Sequence, residues 1–191
     1  MEKLTGHRQI KTAVFISGRG SNLKNLIQFS KTKRSPIIIN MIIANKETEG
    51  LKYARLYKIN KAVIKYANAK IAEKKILLIL KKRKIEFICL AGFMKVLSKD
   101  FIKKFKGKIV NIHPSLLPKY KGLNTHSRAI NNKDRFTGCT VHYVSAILDS
   151  GQIILQKKIK IAVRDDSKSL AKKVLKLEHY LYPTAIIKVF N

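Results

Sequence analysis

Apolar residues in this chain come in short, nearly continuous runs, separated by stretches in which they recur every three or four positions. The nearly continuous runs at 12–17 (TAVFIS), 36–44 (PIIINMIIA, interrupted by Asn40), 86–90 (EFICL) and 109–112 (IVNI) predict buried strands, with a shorter one at 62–65. The periodic stretches predict helices. One covers 21–30 with Leu23, Leu26 and Ile27 on one face. A second covers 47–58 with Leu51, Ala54 and Leu56 inward, and a third covers 70–82 with Ile71, Ile76, Leu77 and Leu80. Ser98 is placed to cap a short helix over 99–104. This alternation marks an α/β domain with a mostly parallel central sheet and helices on both faces. The pattern then changes. Residues 136–145 and 153–163 read as two strands joined by ILDSG, an antiparallel hairpin extension. Ser167 caps a last helix from 168 to about 180, and whether it continues beyond Pro183 is open. No linker or repeat divides the chain, so 1–191 reads as a single domain.

Composition narrows the class. A hydrophobic content of 46% argues against disorder, and no apolar run is long enough to span a bilayer. The polar start MEKLTGHRQIKT gives no signal for export, so a cytoplasmic location is expected. Cys89 and Cys139 sit in apolar contexts and read as buried thiols. The net charge of +30 raises a nucleic-acid or polyanion partner. Against that, the lysines are dispersed, Ile and Asn are also heavily used, and basic and aromatic residues do not alternate. Compositional bias is the simpler account. Small-molecule partners are therefore expected, and neither nucleic acid nor membrane.

The candidate chemistry lies at strand ends. Gly18-Arg19-Gly20-Ser21-Asn22 joins the first strand to the first helix, where free N–H groups favour an anion. Leu23 stands where a dinucleotide fingerprint needs glycine, and Asn45-Lys46 where it needs an acid. The turn therefore reads as a phosphate or mononucleotide loop. Asn111 and His113, two apart at the end of a buried strand, project from one side of it, and Pro114 and Pro118 fix the exit path. Asn111 can donate to a developing oxyanion, and His113 can carry a proton. Asp149, if it reaches His113, would orient the ring and favour its charged form. Spacing alone does not pair them, since Asp-Ser-Gly is also ordinary turn chemistry. His113, His126 and His142 are scattered, and neither a zinc-type motif nor a nucleophile elbow occurs, so no metal is expected. The simplest chemistry is a ternary complex without a covalent nucleophile. By composition alone Glu178 reads as part of a solvated helix face.

Six segments together resemble a known family. They are ISGRGSNL (16–23), ANKETEGL (44–51), CLAGFMKVLS (89–98), VNIHPSLLPKYKGLNTH (110–126), GCTVHYVSAILDSGQIILQ (138–156) and EHYLYP (178–183). The chain is similar to the phosphoribosylglycinamide formyltransferases, of the folate-dependent formyltransferase family. The resemblance implies a Rossmann-like formyltransferase fold. It also implies transfer of a formyl group from 10-formyltetrahydrofolate, as cosubstrate, to the amine of 5'-phosphoribosylglycinamide in purine biosynthesis, by direct attack through a tetrahedral intermediate. On this resemblance Asn111, His113 and Asp149 would be catalytic. Gly20, Ser21 and Asn22 would hold the substrate phosphate, and Glu178 its glycinamide end. Met94, Lys95, Val96, Leu97 and Asn111 would line the folate site, over an apolar floor of Leu90, Phe93 and Ile109. The chain departs from the family pattern at Gln152, where proline is frequent, and at Lys95, where arginine is common. Three alternatives stand beside it: a formyltetrahydrofolate deformylase, a tRNA formyltransferase, and a non-catalytic polyanion-binding module.

Overall fold

The computed structural model describes residues 8–191. The chain order is β1 (Ile10–Ile16), α1 (Ser21–Ser30), β2 (Ile37–Ala44), α2 (Lys52–Leu56), β3 (Asn60–Val63), α3 (Ala69–Lys82), β4 (Phe87–Leu90), α4 (Lys99–Lys104), β5 (Lys108–His113), α5 (Thr125–Asn131), β6 (Phe136–Tyr143), β7 (Ile153–Lys160) and α6 (Ser167–Phe190). The strands form one seven-stranded sheet in the order β3-β2-β1-β4-β5-β6-β7. Pairs from β3 to β5 are parallel, and β6 and β7 are antiparallel additions, as the change of pattern after residue 135 predicts.

The continuous apolar runs follow from burial on both faces. In β1, Val14 and Ile16 face a core with Leu23, Leu26 and Ile27 of α1 and Val174, Leu181 and Ile186 of α6. Ala13 and Phe15 point the other way, onto Ile76 and Leu80 of α3 and Phe101 of α4. Cys89 and Cys139 are free and buried, as their apolar contexts predict.

Several local expectations need correction. The region around 47–58 is a turn of 3-10 helix over Glu49–Leu51 followed by the five-residue α2, and Leu56 is exposed. Ile71 is also exposed, because α3 turns Ala72, Glu73, Ile76 and Leu80 inward. The final helix is capped by Asp166, which accepts from Ser169 N at 2.6 Å, rather than by Ser167. That helix runs through Pro183 to Phe190. Proline leaves the carbonyl of His179 without its intrahelical donor. The side-chain amide of Asn25 donates to that carbonyl at 2.7 Å, so the break is repaired from α1. Helix α5 was not predicted. The polar segment at 1–12 lies partly outside the described residues.

Strand order reverses between β1 and β4, where successive connections leave to opposite sides. In open α/β sheets the crevice beyond the carboxyl ends of the strands at such a point is where ligands bind. The turn after β1, the segment after β4 and the end of β5 all meet there.

Candidate active site

The glycine turn is shaped by a close approach of two backbones. Gly20 is the left-handed N-cap of α1 (φ 75°), and no side chain caps the helix. The first-turn N–H groups are therefore open to an anion. A Cβ on Gly20 would sit 2.8 Å from Gly50 Cα, and Gly50 N donates to Gly18 O at 3.1 Å. Thr48 Oγ1 donates to the same carbonyl at 2.9 Å. The segment before α2 thus braces the turn.

Asn22, in that first turn, donates from Nδ2 to Glu178 Oε2 of α6 at 2.6 Å. Glu178 is 7% exposed. Burial pushes its carboxyl up to about 7 from 4.5, against the opposing effect of the Asn22 hydrogen bond. Asn22 Oδ1 is itself buried without a partner among the described residues. Glu178 is therefore not on a solvated face, because α6 packs that side against α1. Sequence periodicity around Pro183 did not show this.

At the end of β5 the structure brings Asn111, His113 and Asp149 together. His113 is 5% exposed. Its Nδ1 lies 3.4 Å from Asp149 Oδ2, and its Nε2 lies 2.9 Å from the carbonyl oxygen of Tyr120. Each ring nitrogen faces an oxygen, which fixes the orientation of the ring. Asp149 is held by its surroundings too. Gly122 N donates to its Oδ2 at 2.8 Å, tying the hairpin loop to the segment after β5. Asp149 adopts φ 47°, a left-handed conformation that aspartate tolerates better than most residues. The loop also requires Gly151, where a Cβ would lie 1.7 Å from Tyr143 O.

His142 completes the arrangement, and sequence reasoning weighed it only as a metal ligand. It lies opposite Asn111 across the β5–β6 ladder. Its Nδ1 is 2.8 Å from the Tyr143 carbonyl, which can only accept, so Nδ1 carries the proton. Nε2 then accepts from Asn111 Nδ2 at 3.2 Å. Burial depresses the basicity of His142, offsetting the pull of the Tyr143 carbonyl and of Asp149, so the neutral ring suits this acceptor role. Asn111 therefore has one amide hydrogen fixed and one left over. The available signal was register: Asn111 opposes His142 once the β5–β6 pairing is known. His126, on α5, has a buried Nδ1 without a partner among the described residues, and burial, then the proximity of His113, lowers its basicity.

A cleft opens beside these groups. Leu90, Phe93, Val96, Leu97, Val144, Ile147 and Leu148 give it apolar walls, and Asn111, His142, Ser145 and Asp149 give it polar ones. That suits a flat heterocycle with polar edges. Lys95 also lines it. Of the residues expected to line a folate site, Met94 does not line this cleft. Its side chain is exposed, and its N–H donates to Ser17 Oγ at 2.8 Å, joining the β4 and β1 ends. Ile109 is buried beneath.

The sequence profile of the formyl transferase family matches residues 10–186. The chain is 40% identical over 192 residues to the trifunctional purine biosynthetic protein adenosine-3 of Homo sapiens, covering 96% of this chain and 19% of that protein. It is 40% identical over 182 residues to the same protein of Gallus gallus, covering 93% and 18%. The chain thus spans less than a fifth of the length of these curated relatives. Among solved structures, the phosphoribosylglycinamide formyltransferase of Brucella melitensis superposes with a TM-score of 0.90 at 40% identity, covering 95% of this chain and 96% of that one. The enzyme of Bacillus halodurans superposes with a TM-score of 0.91 at 32% identity, covering 95% of each. With the profile covering the whole sheet and the loops that carry the site, the chain belongs to the formyl transferase family.

Proposed function

We propose that this protein transfers the formyl group of 10-formyltetrahydrofolate to the amine of 5'-phosphoribosylglycinamide, a step of purine biosynthesis. One observation carries this reading: Asn111, His113 and Asp149 converge at the polar end of an apolar cleft, beside an uncapped helix N-terminus. The solved relatives named phosphoribosylglycinamide formyltransferase support the choice of acceptor.

In this reading the phosphate lies on the N–H groups of Gly20, Ser21 and Asn22, and Glu178 receives the glycinamide end. The cleft wall of Lys95, Val96, Leu97 and Asn111 holds the folate. Holding both reactants in one crevice supplies much of the acceleration. The amine nitrogen bonds to the formyl carbon, and negative charge grows on the formyl oxygen. Asn111 donates its unused amide hydrogen to that oxygen, with the other fixed by His142. A donor of this kind contributes roughly 3–4 kcal/mol to the transition state. The bond from formyl carbon to folate N10 then breaks, and the proton lost by the amine passes to N10 through His113 or a bound water. Asp149 and the Tyr120 carbonyl keep the His113 ring turned. Both substrates are water-soluble metabolites, and the reading places the reaction in the cytoplasm. No metal has a role in it.

The test is a two-substrate assay. Release of tetrahydrofolate from 10-formyltetrahydrofolate should require the ribonucleotide. Equal release without it would identify a deformylase and overturn the proposal.

A further inference from the structure

The segment between β5 and α5 delivers two main-chain groups to the catalytic pair. The carbonyl oxygen of Tyr120 lies 2.9 Å from His113 Nε2, and Gly122 N donates to Asp149 Oδ2 at 2.8 Å. Both contacts are made by backbone, so the placing of residues 120–122 decides how the ring and the carboxylate sit. Tyr120 has φ 57°. A bulky residue rarely adopts this left-handed conformation, and it persists only where its surroundings over-determine it. What holds Tyr120 there is its own side chain.

Tyr120 is 9% exposed, and its hydroxyl has one partner for its proton and one for its oxygen. It donates to Asp134 Oδ2 at 2.7 Å and accepts from Asn132 Nδ2 at 2.8 Å. Those partners stand on a closed helix end. Asn132 N donates to Arg128 O at 3.1 Å, Lys133 N to Ile130 O at 2.8 Å, and Asp134 N to Ala129 O at 3.0 Å, which finishes α5. Ala129 is fully buried, so this end is pinned to the core. The Arg128 guanidinium lies over the Tyr120 ring, 4.9 Å from its centroid, and donates to Lys121 O at 2.7 Å. On the other flank the buried Ser115 Oγ donates to Lys119 O at 2.6 Å. Tyr120, Asn132 and Asp134 do not line the cleft, and the chemistry proposed above uses none of their side chains.

We propose that, granted the role of His113 and Asp149 in formyl transfer, Tyr120 is the residue that positions them. Its phenol, held by Asp134 and Asn132, locks the backbone that presents the Tyr120 carbonyl to the ring and the Gly122 N–H to the carboxylate. A misplacement of about 1 Å at the reacting groups costs up to about 100-fold in rate, so an anchor remote from the chemistry shows in kcat. Lys119 also reaches Asp134, with Nζ 2.7 Å from Oδ1, but its side chain is 58% exposed, and an exposed ion pair contributes little. The phenol, not the ion pair, is the anchor.

The experiment combines steady-state formyl-transfer kinetics of the full chain with NMR of the His113 ring nitrogens, read without substrates. Tyr120→Phe keeps the ring under Arg128 and removes both hydroxyl bonds. It should lower kcat about ten-fold, leave both KM values within about two-fold, and shift the His113 ring signals. Asp134→Ala should do the same. Asp134→Asn, whose amide oxygen still accepts from the phenol, should recover most of the kcat and the wild-type ring signals. Lys119→Gln, which removes the exposed ion pair and leaves the phenol its partners, should match the wild type in kcat and ring signals. Unchanged ring signals in Tyr120→Phe, an unchanged kcat in that variant, a rise in KM equal to the loss in kcat, or equal losses in Asp134→Ala and Asp134→Asn would overturn the inference. A wild-type protein without formyl transfer would overturn the proposed function instead, and the ring signals would still decide whether the phenol holds His113.

Discussion

Replacing Glu178 by glutamine should make the protein more stable and worse at holding its acceptor substrate. The side chain is 7% exposed, and burial raises its carboxyl from 4.5 to about 7. With the folded value above the unfolded one, the contribution of this group to stability is full below about 4.5. It falls away as pH rises through about 7. The difference of about 2.5 units corresponds to about 3 kcal/mol lost at pH 8, at 1.36 kcal/mol per unit. Glutamine is neutral throughout and loses nothing. It also keeps an acceptor for Asn22 Nδ2 and offers a donor to the unpartnered Asn22 Oδ1. Urea unfolding of both proteins between pH 4.5 and 8 should show a small difference at the acid end. That difference should grow to about 3 kcal/mol in favour of the variant, roughly 10 °C in Tm for a chain of this size. The same variant should raise KM for the ribonucleotide at least ten-fold while changing kcat much less. A stability difference independent of pH would refute the reasoning, because the buried carboxyl would then not be titrating in the folded state.

Asn111→Ala should lower kcat by about 10²–10³-fold with little change in KM, since the donor acts on charge that develops only in the transition state. His113→Asn and Asp149→Asn should each lower kcat by about 10²–10⁴-fold, and the double variant should be little worse than either single one. His142→Phe should lower kcat about ten-fold by freeing the Asn111 amide, and His142→Gln, which restores an acceptor, should recover most of the loss. In both, steady-state kinetics should show the KM values nearly unchanged. Gly151→Ala should displace the loop that carries Asp149, because its Cβ would meet Tyr143 O at 1.7 Å. Its kcat should fall with that of Asp149→Asn, and crystallography should show the carboxylate moved.

The parallel part of the fold was legible because burial on both faces leaves a trace: nearly continuous apolar runs in β1, β2 and β4. Ser98 as a cap and the hairpin after residue 135 were legible from local chemistry. What failed was set by packing. Leu56 follows helical spacing, but α2 is too short to bring it inward. Pro183 marks a helix end locally, but Asn25 on a distant helix takes up the freed carbonyl and the core buries Ala185, Ile186 and Val189 beyond it. In the site, Asn111 and His113 were visible because two residues on one strand share a face. Their meeting with Asp149 depends on a Gly122 amide and a Gly151 turn far along the chain. The Tyr120 carbonyl that holds His113 is main chain, and no residue type announces it. His142 became legible only with the register of β6.

The formyl oxygen should lie on the free hydrogen of Asn111, with His113 and Asp149 next to it. A crystal structure with phosphoribosylglycinamide and an unreactive formyl-folate analogue tests this directly. The account expects the formyl oxygen about 3 Å from Asn111 Nδ2 and the acceptor amine on the Glu178 side of the formyl carbon. A formyl oxygen pointing away from Asn111 into solvent, with the amine still in line for attack, would contradict it.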